Sequence, residues 1–166
     1  MDFRRVMRGT LGVALLTAVF SLALPARAQS VDANIAKVVR LMKADAYNYV
    51  ASSSPSVWSI HFTGKNLTDI KVILAVATDQ GSDLMVVFVT VAEKKRLPVT
   101  TDFMRKLLNE NHTLDRVKVG YDADGDLFVR ADSNVRVLDE AEFKDMVDQV
   151  EKSADEVYGI VQPSLQ

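Results

Sequence analysis

The segment Leu84-Met85-Val86-Val87-Phe88-Val89 is apolar at six consecutive positions. A strand of this composition carries apolar side chains on both faces and needs cover on both. The preceding run, Ile70 to Thr78, has the same property. Val72, Leu74 and Val76 fall on one parity, and Ile73, Ala75 and Ala77 on the other. Joined through the loop Asp79-Gln80-Gly81-Ser82-Asp83, the two runs read as the central hairpin of a sheet. The cover is expected to be helices on each side, or helices on one side and a second subunit on the other.

The flanking pattern fills in the rest of an α+β domain. Trp58, Ile60 and Phe62 alternate with Ser59, His61 and Thr63, which predicts a half-buried strand ending at the turn Gly64-Lys65-Asn66. Ahead of it, Ile35, Val38, Val39, Met42, Ala46, Tyr49 and Val50 recur at helical spacing. They predict a helix from Asp32, as N-cap, to Val50, stopped by Ser52-Ser53-Ser54-Pro55-Ser56. After the charged run Glu93-Lys94-Lys95-Arg96, read as a solvated loop, Thr101 is the expected cap of a short helix through Asn111. Phe103, Met104, Leu107 and Leu108 lie on one side of that helix. Val117, Val119 and Tyr121, then Leu127 and Val129, mark a hairpin turned at Asp122-Ala123-Asp124-Gly125, with Gly125 free to take positive φ. Phe143, Met146, Val147, Val150, Ala154, Val157, Tyr158 and Val161 form the stripe of a last helix, Asp139 to Val161, with acidic residues at its positive end. The expected order is α-β-β-β-α-β-β-α, a mostly antiparallel five-stranded sheet packed with helices.

The first residues read differently. Arg4, Arg5 and Arg8 precede an uncharged apolar run from Leu11 to Leu24, followed by Pro25-Ala26-Arg27-Ala28. This is the layout of a secretory signal peptide, residues 1–28, with cleavage after Ala28 and no stable membrane anchor left behind. The remaining single domain, residues 29–166, is expected in the periplasm or outside the cell. The precursor of 166 residues carries a formal charge of −2. The leader takes four of its 20 basic residues and one of its 22 acidic ones, leaving 16 and 21 and a charge of −5. Such a balance argues against nucleic acid as a partner.

Chemistry-bearing residues are sparse. With Cys at 0 and His at 2, disulfides, thiolate zinc sites and cysteine nucleophiles are excluded, and a multi-His metal site is not expected. Asp122, Asp124 and Asp126 stand at alternate positions suited to a hard cation, but Leu127 and Ser133 occupy the places where an EF-hand loop needs Gly and Glu. They are weak metal candidates, better read as a charged turn. His61 and His112 lack a partner in any catalytic motif, and Asn66-Leu67-Thr68 and Asn111-His112-Thr113 match a glycosylation triplet discounted in a chain with a bacterial-type leader. No catalytic residue and no cofactor is assigned.

The second half carries a resemblance. Leu107-Leu108-Asn109-Glu110-Asn111 closes a short helix. The Asp-Ala-Asp-Gly-Asp turn of Asp122 to Asp126 leads into Leu127-Phe128-Val129-Arg130-Ala131, and a helix begins at Leu138-Asp139 and ends near Ala154-Asp155-Glu156-Val157. This resembles the YbjN family of bacterial sensory transduction regulators, and the resemblance implies a type III secretion chaperone-like fold and no catalytic residues. The expected function is an exported, non-enzymatic binding module, with a homodimer or an envelope protein or peptide as partner. Met85, Val87 and Val89 on one parity of the central strand, with Phe103 and Met104 on the short helix, are the contact candidates, against the reading that they are ordinary core. The alternatives are a small hydrolase using paired carboxylates and a calcium-responsive envelope protein using Asp122, Asp124 and Asp126.

Overall fold

A computed structural model describes residues 23–79, 82–98 and 100–166. The basic start of the expected leader and most of its apolar run, residues 1–22, lie outside them, as do residues 80 and 81 of the central hairpin loop. In chain order the elements are α1 (Ala23–Ala44), β1 (Tyr49–Ala51), β2 (Val57–Phe62), β3 (Ile70–Asp79), β4 (Ser82–Ala92), α2 (Thr101–Thr113), β5 (Lys118–Tyr121), β6 (Leu127–Asn134) and α3 (Glu140–Val161). The chain divides between Ala33 and Asn34. Asn34–Gln166 carries every described strand, and the description that follows concerns that unit.

The sheet order is β1-β2-β3-β4-β6-β5, antiparallel at every neighbouring pair. The parity of the central strands is now settled. Val72, Leu74 and Val76 of β3 and Met85, Val87, Val89 and Val91 of β4 point into the core, where they meet Val38 and Met42 of α1 and Phe143, Val147, Val150 and Val157 of α3. Leu127, Val129 and Ala131 of β6 continue that face. Between Thr90 and Ala92 the pairing with β6 shifts register. This irregularity turns two successive side chains, Val91 and Ala92, inward. Trp58 and Ile60 are buried, as their alternation predicts. Tyr47 closes one end of the core with its ring edge-on to Phe62 and Phe143, at 6.2 and 6.1 Å between centroids.

The sheet has six strands rather than five because the first helix is shorter at its C-terminal end than its stripe implied. The Tyr47 amide donates to Met42 O at 3.0 Å and the Ala46 amide to Lys43 O at 3.2 Å, while Ala46 takes φ 53°. That is a Schellman stop with alanine in the left-handed position where glycine is usual. The chain then turns into edge strand β1, and Ser52 to Ser56 form the β1–β2 loop instead of a helix terminator. Upstream, Asp32 lies inside α1 and does not cap it. Helix-favouring Ala, Leu, Arg and Gln extend the helix back to Ala23, and Pro25 is tolerated in the first turn because no intrahelical amide bond is needed there. The second helix is capped one residue earlier than expected: Thr100, not Thr101, accepts from the Phe103 amide at 3.2 Å. Asp139 caps α3 as expected, accepting from the Glu142 amide at 2.8 Å, and Gly125 has φ 88°.

One carboxylate ties the β2–β3 loop to α3. Asp155 accepts from the backbone amides of Lys65 (3.1 Å), Asn66 (2.7 Å) and Leu67 (2.8 Å) and from the Asn66 side chain (3.2 Å). The approach requires glycine on both sides: a side chain on Gly64 would strike the Asp155 carboxylate, and one on Gly159 would come within 2.8 Å of Asn66. Partial burial pushes the Asp155 carboxyl up, but the Leu67, Asn66 and Lys65 amides outweigh it and hold the group below the usual carboxylate range. The Asn66 amide nitrogen, the acceptor atom of the first glycosylation triplet, is engaged in this contact.

Two stability measurements follow. Ala46→Gly removes a left-handed alanine and is expected to stabilise the fold by about 1 kcal/mol, a rise in melting temperature of roughly 3 °C; an unchanged or lower melting temperature would contradict the stop described here. Asp155→Ala hands the Lys65 and Asn66 amides to water, leaves the half-buried Leu67 amide without its acceptor, and is expected to cost about 1 kcal/mol at neutral pH. Because the folded pKa is depressed, that contribution is complete above the ordinary carboxylate pKa of ~3.9 and disappears as pH falls through the lower folded value. Denaturation curves of the two proteins should therefore converge in acid, and a gap independent of pH would refute the assignment.

Candidate functional site

α1, α2 and α3 all pack into the core on one face of the sheet, and among the described residues no helix packs on the other. The outward parity there is still apolar. The register places Ile73 opposite Phe88, Ala75 opposite Val86 and Val57 opposite Ala75. These side chains form a strip crossing β2, β3 and β4. Val86 is only 7% exposed although it stands on this outer face and is absent from the helix-covered core. It is the floor of a groove of about 220 Å³ lined by Val86, Phe88, Thr90, Asp122, Phe128 and Arg130. Gly120, cross-strand from Phe128, leaves room for that ring to lie against the sheet; a Cβ at Gly120 would sit 3.0 Å from it. The groove is open and smaller than the pockets that enclose small ligands, which run to roughly 300–1,000 Å³.

Charge frames the strip. Arg130 Nε and Lys118 Nζ both donate to Asp132, at 2.6 Å each. Burial pushes the Asp132 carboxyl up, and these two cations outweigh it, holding the group below the usual range. One carboxylate thus serves two cations. At the other end of the strip Lys71, cross-strand from His61, has no hydrogen-bond or ion-pair partner among the described residues. His61 Nδ1 lies 2.8 Å from Asp69 Oδ1, both well exposed.

The contact candidates separate. Met85, Val87 and Val89 are at most 1% exposed and Phe103 is 3% exposed, so all four belong to the core under the helices. The outward parity of β4 is the opposite one, Val86 and Phe88. Met104 does reach solvent, at 39% exposure, beside Leu108 at 68% and Tyr121 at 38%, with the Tyr121 hydroxyl donating to Met104 Sδ at 3.4 Å. Leu108 faces outward because Phe103 and Leu107 are the residues of α2 that pack inward. These three make a second, smaller apolar patch.

The acidic candidates are used locally. Asp122 Oδ1 accepts from the amides of Asp124 (3.0 Å) and Asp126 (2.9 Å), and Asp126 Oδ1 from the Lys94 amide (2.8 Å). These bonds shape the turn, and among the described residues no three His, Asp or Glu gather as a metal site. A cleft of about 20 Å³, room for one water, is bordered by Asp132, Glu142 and Asp145. Arg116 pairs with Glu142 and, at 2.9 Å, with Asp145, so the cleft offers no free carboxylate pair for the hydrolase reading. Asp45 differs: burial, then Glu140, raise its pKa, with Lys144 opposing. Its Oδ2 is buried without a hydrogen-bond partner, but it lies at the end of α1 and outside both described cavities.

No family model matches the chain, and no curated protein matches it. Solved structures do. A crystal structure of the ExsC–ExsE complex is similar at TM-score 0.54 and 16% identity, covering 75% of this chain and 92% of that one. The ExoU–SpcU complex from the type III secretion system of Pseudomonas aeruginosa is similar at TM-score 0.44 and 19% identity, covering 70% and 88%. The Yersinia pestis type III secretion chaperone SycH, in complex with a stable fragment of YscM2, is similar at TM-score 0.48 and 11% identity, covering 73% and 96%. The likeness is one of fold: an α+β domain with an antiparallel sheet packed against helices, as in the secretion chaperones.

Proposed function

We propose that this chain is an exported, non-enzymatic protein-binding module of the YbjN type, chaperone-like or regulatory in role. The observation that carries the reading is the sheet face left open by the helices, apolar at its centre and shaped as a groove too shallow to enclose a small ligand. The similar ExsC structure is itself a complex of two proteins, and a partner-binding role for this chain is the corresponding proposal. The leader supports export: the compact unit starts at Asn34, shortly after the proposed cleavage at Ala28. Its first long-range bonds come from Asn34, to Asp83 at 2.6 Å, and Lys37, to Val135 O at 2.7 Å. Removing residues 1–28 therefore leaves that unit whole. Self-association through Met104, Leu108 and Tyr121 is part of the same proposal, because a two-fold contact covers such a patch with its own copy.

N-terminal sequencing of the protein recovered from a bacterial culture is expected to begin at Gln29 and in the periplasmic or extracellular fraction; a retained Met1 in the cytoplasm would sink the export reading. Light scattering on the processed chain is expected to give a dimer that Leu108→Glu converts to monomer. A monomer at 100 micromolar would remove self-association. Co-elution with reduced, carboxymethylated α-lactalbumin, a permanently unfolded polypeptide, tests protein binding itself, and failure to retain it would count against the central claim.

A further inference from the structure

We propose that the open sheet face is the docking site for an acidic, amphipathic segment of another polypeptide. Its apolar side chains would seat on Ile73, Val86 and Phe88, and its carboxylates would lie against Lys71 and the Arg130–Lys118 pair. The inference rests on the protein-binding reading above and names the chemistry of the partner.

Three observations carry it. The register lines up Ser59, Ile73, Phe88, Arg130 and Lys118 as direct neighbours from β2 to β5, so one row runs from apolar residues onto cations. A segment lying along that row meets both in a fixed order. Next, the face runs against the charge of the domain. It carries Lys71, Lys118 and Arg130, with His61, against the carboxylates of Asp132, Asp122 and Asp69, whereas the domain as a whole is acidic and α3 exposes Glu140 and Glu156 and half-buries Glu142, Asp145 and Asp148, which pair with Arg116 and Lys144. Lys71 has no partner among the described residues, and Asp132 neutralises one of its two cations. An incoming carboxylate therefore finds a cation unpaired among the described residues, Lys71, and a shared one beside half-buried apolar surface, a setting in which charge selects a partner.

The same charges decide against a second copy as occupant. A two-fold contact of this face with itself would set like patch on like patch and bring Arg130, Lys118 and Lys71 toward their own kind. The acidic helix α3 of another copy does not supply the apolar half, since Phe143, Val147 and Val150 are buried in its own core. The occupant must carry apolar and acidic residues on one exposed stripe.

Fluorescence anisotropy tests this with two labelled sixteen-residue peptides of the same pattern, one of Leu and Glu and one of Leu and Lys, titrated with the chain at 50 and 500 mM salt. The Leu/Glu peptide is expected to bind at least tenfold more tightly than the Leu/Lys peptide and to weaken at high salt. Lys71→Glu and Phe88→Ser are each expected to lower its affinity about fivefold or more. Lys152→Glu, the same charge change on the exposed side of α3, should leave it unchanged. Circular dichroism checks that each variant is folded, and the surface substitution Lys71→Glu keeps the test decisive if Phe88→Ser is not. Equal affinity for both peptides, no binding of either, or equal losses from Lys71→Glu and Lys152→Glu would overturn the proposal. If the chain still retains carboxymethylated α-lactalbumin in those cases, the protein-binding reading survives and this one falls. If it retains neither probe, both fall.

Discussion

Three helices pack on one side of a sheet whose central strands are apolar on both sides, and the rest of the molecule follows from that mismatch. Burial of Met85, Val87 and Val89 under α1 and α3 needs one parity of β4 alone. A strand that served only this core would alternate, as β2 does with Trp58 and Ile60 inside and Ser59 and His61 outside. β3 and β4 spend apolar residues on Ile73, Ala75, Val86 and Phe88 as well, where no described helix covers them. Val86 is buried and Ile73, Ala75 and Phe88 are half-buried there, so the apolar surface of these strands extends beyond the core that the helices cover. The proposed docking of a partner segment would account for their presence.

The sequence showed that β3 and β4 were apolar on both parities, but not which parity the helices would cover. That choice is tertiary: it depends on where α1 and α3 land, and both parities of Leu84 to Val89 satisfy the same local pattern. For this reason Met85, Val87 and Val89 were the natural nominees for contact and turned out to be core. The elements with strong local codes were legible. β2 followed its period of two, α3 followed its stripe and its Asp139 cap, and the last hairpin followed Gly125. β1 was hidden because Tyr49 and Val50 continue the helical spacing of α1, and the stop rests on a left-handed alanine that nothing in its side chain announces. The Asp155 anchor was equally invisible, since its partners lie about 90 residues away in the chain.

The acidic residues show how little their number says about chemistry. Asp155, Asp139 and Asp122 accept from backbone amides, Asp132 from two cations, and Glu142 and Asp145 from Arg116. In each case hydrogen bonding fixes a loop, a helix start or a strand edge; Asp155 and Asp132, held below the usual carboxylate range, also make poor general acids. Asp45 is the counterexample. It sits at the C-terminal end of α1, where the helix dipole opposes negative charge, with Glu140 and Asp148 adding to the repulsion and Lys144 relieving it. This position costs stability in the neutral-pH form, and it joins the end of α1 to the start of α3.

Charge is also partitioned across the domain in a way its net value conceals. The near-neutral balance of the full sequence owes much to the arginines among residues 1–28, the expected leader. Once these are set aside, the acidic excess gathers on the outer side of α3, and the sheet face keeps Lys71, Lys118 and Arg130. The carboxylate-rich segment proposed as occupant would be repelled by the acidic side of this surface and attracted by the part that also offers apolar contact. Repulsion from the helix side then does as much to set the orientation of an approaching segment as attraction to the sheet, since the long-range field acts before any apolar contact forms. The open strip supplies the contact area, and the acidic back of the molecule limits where that contact begins.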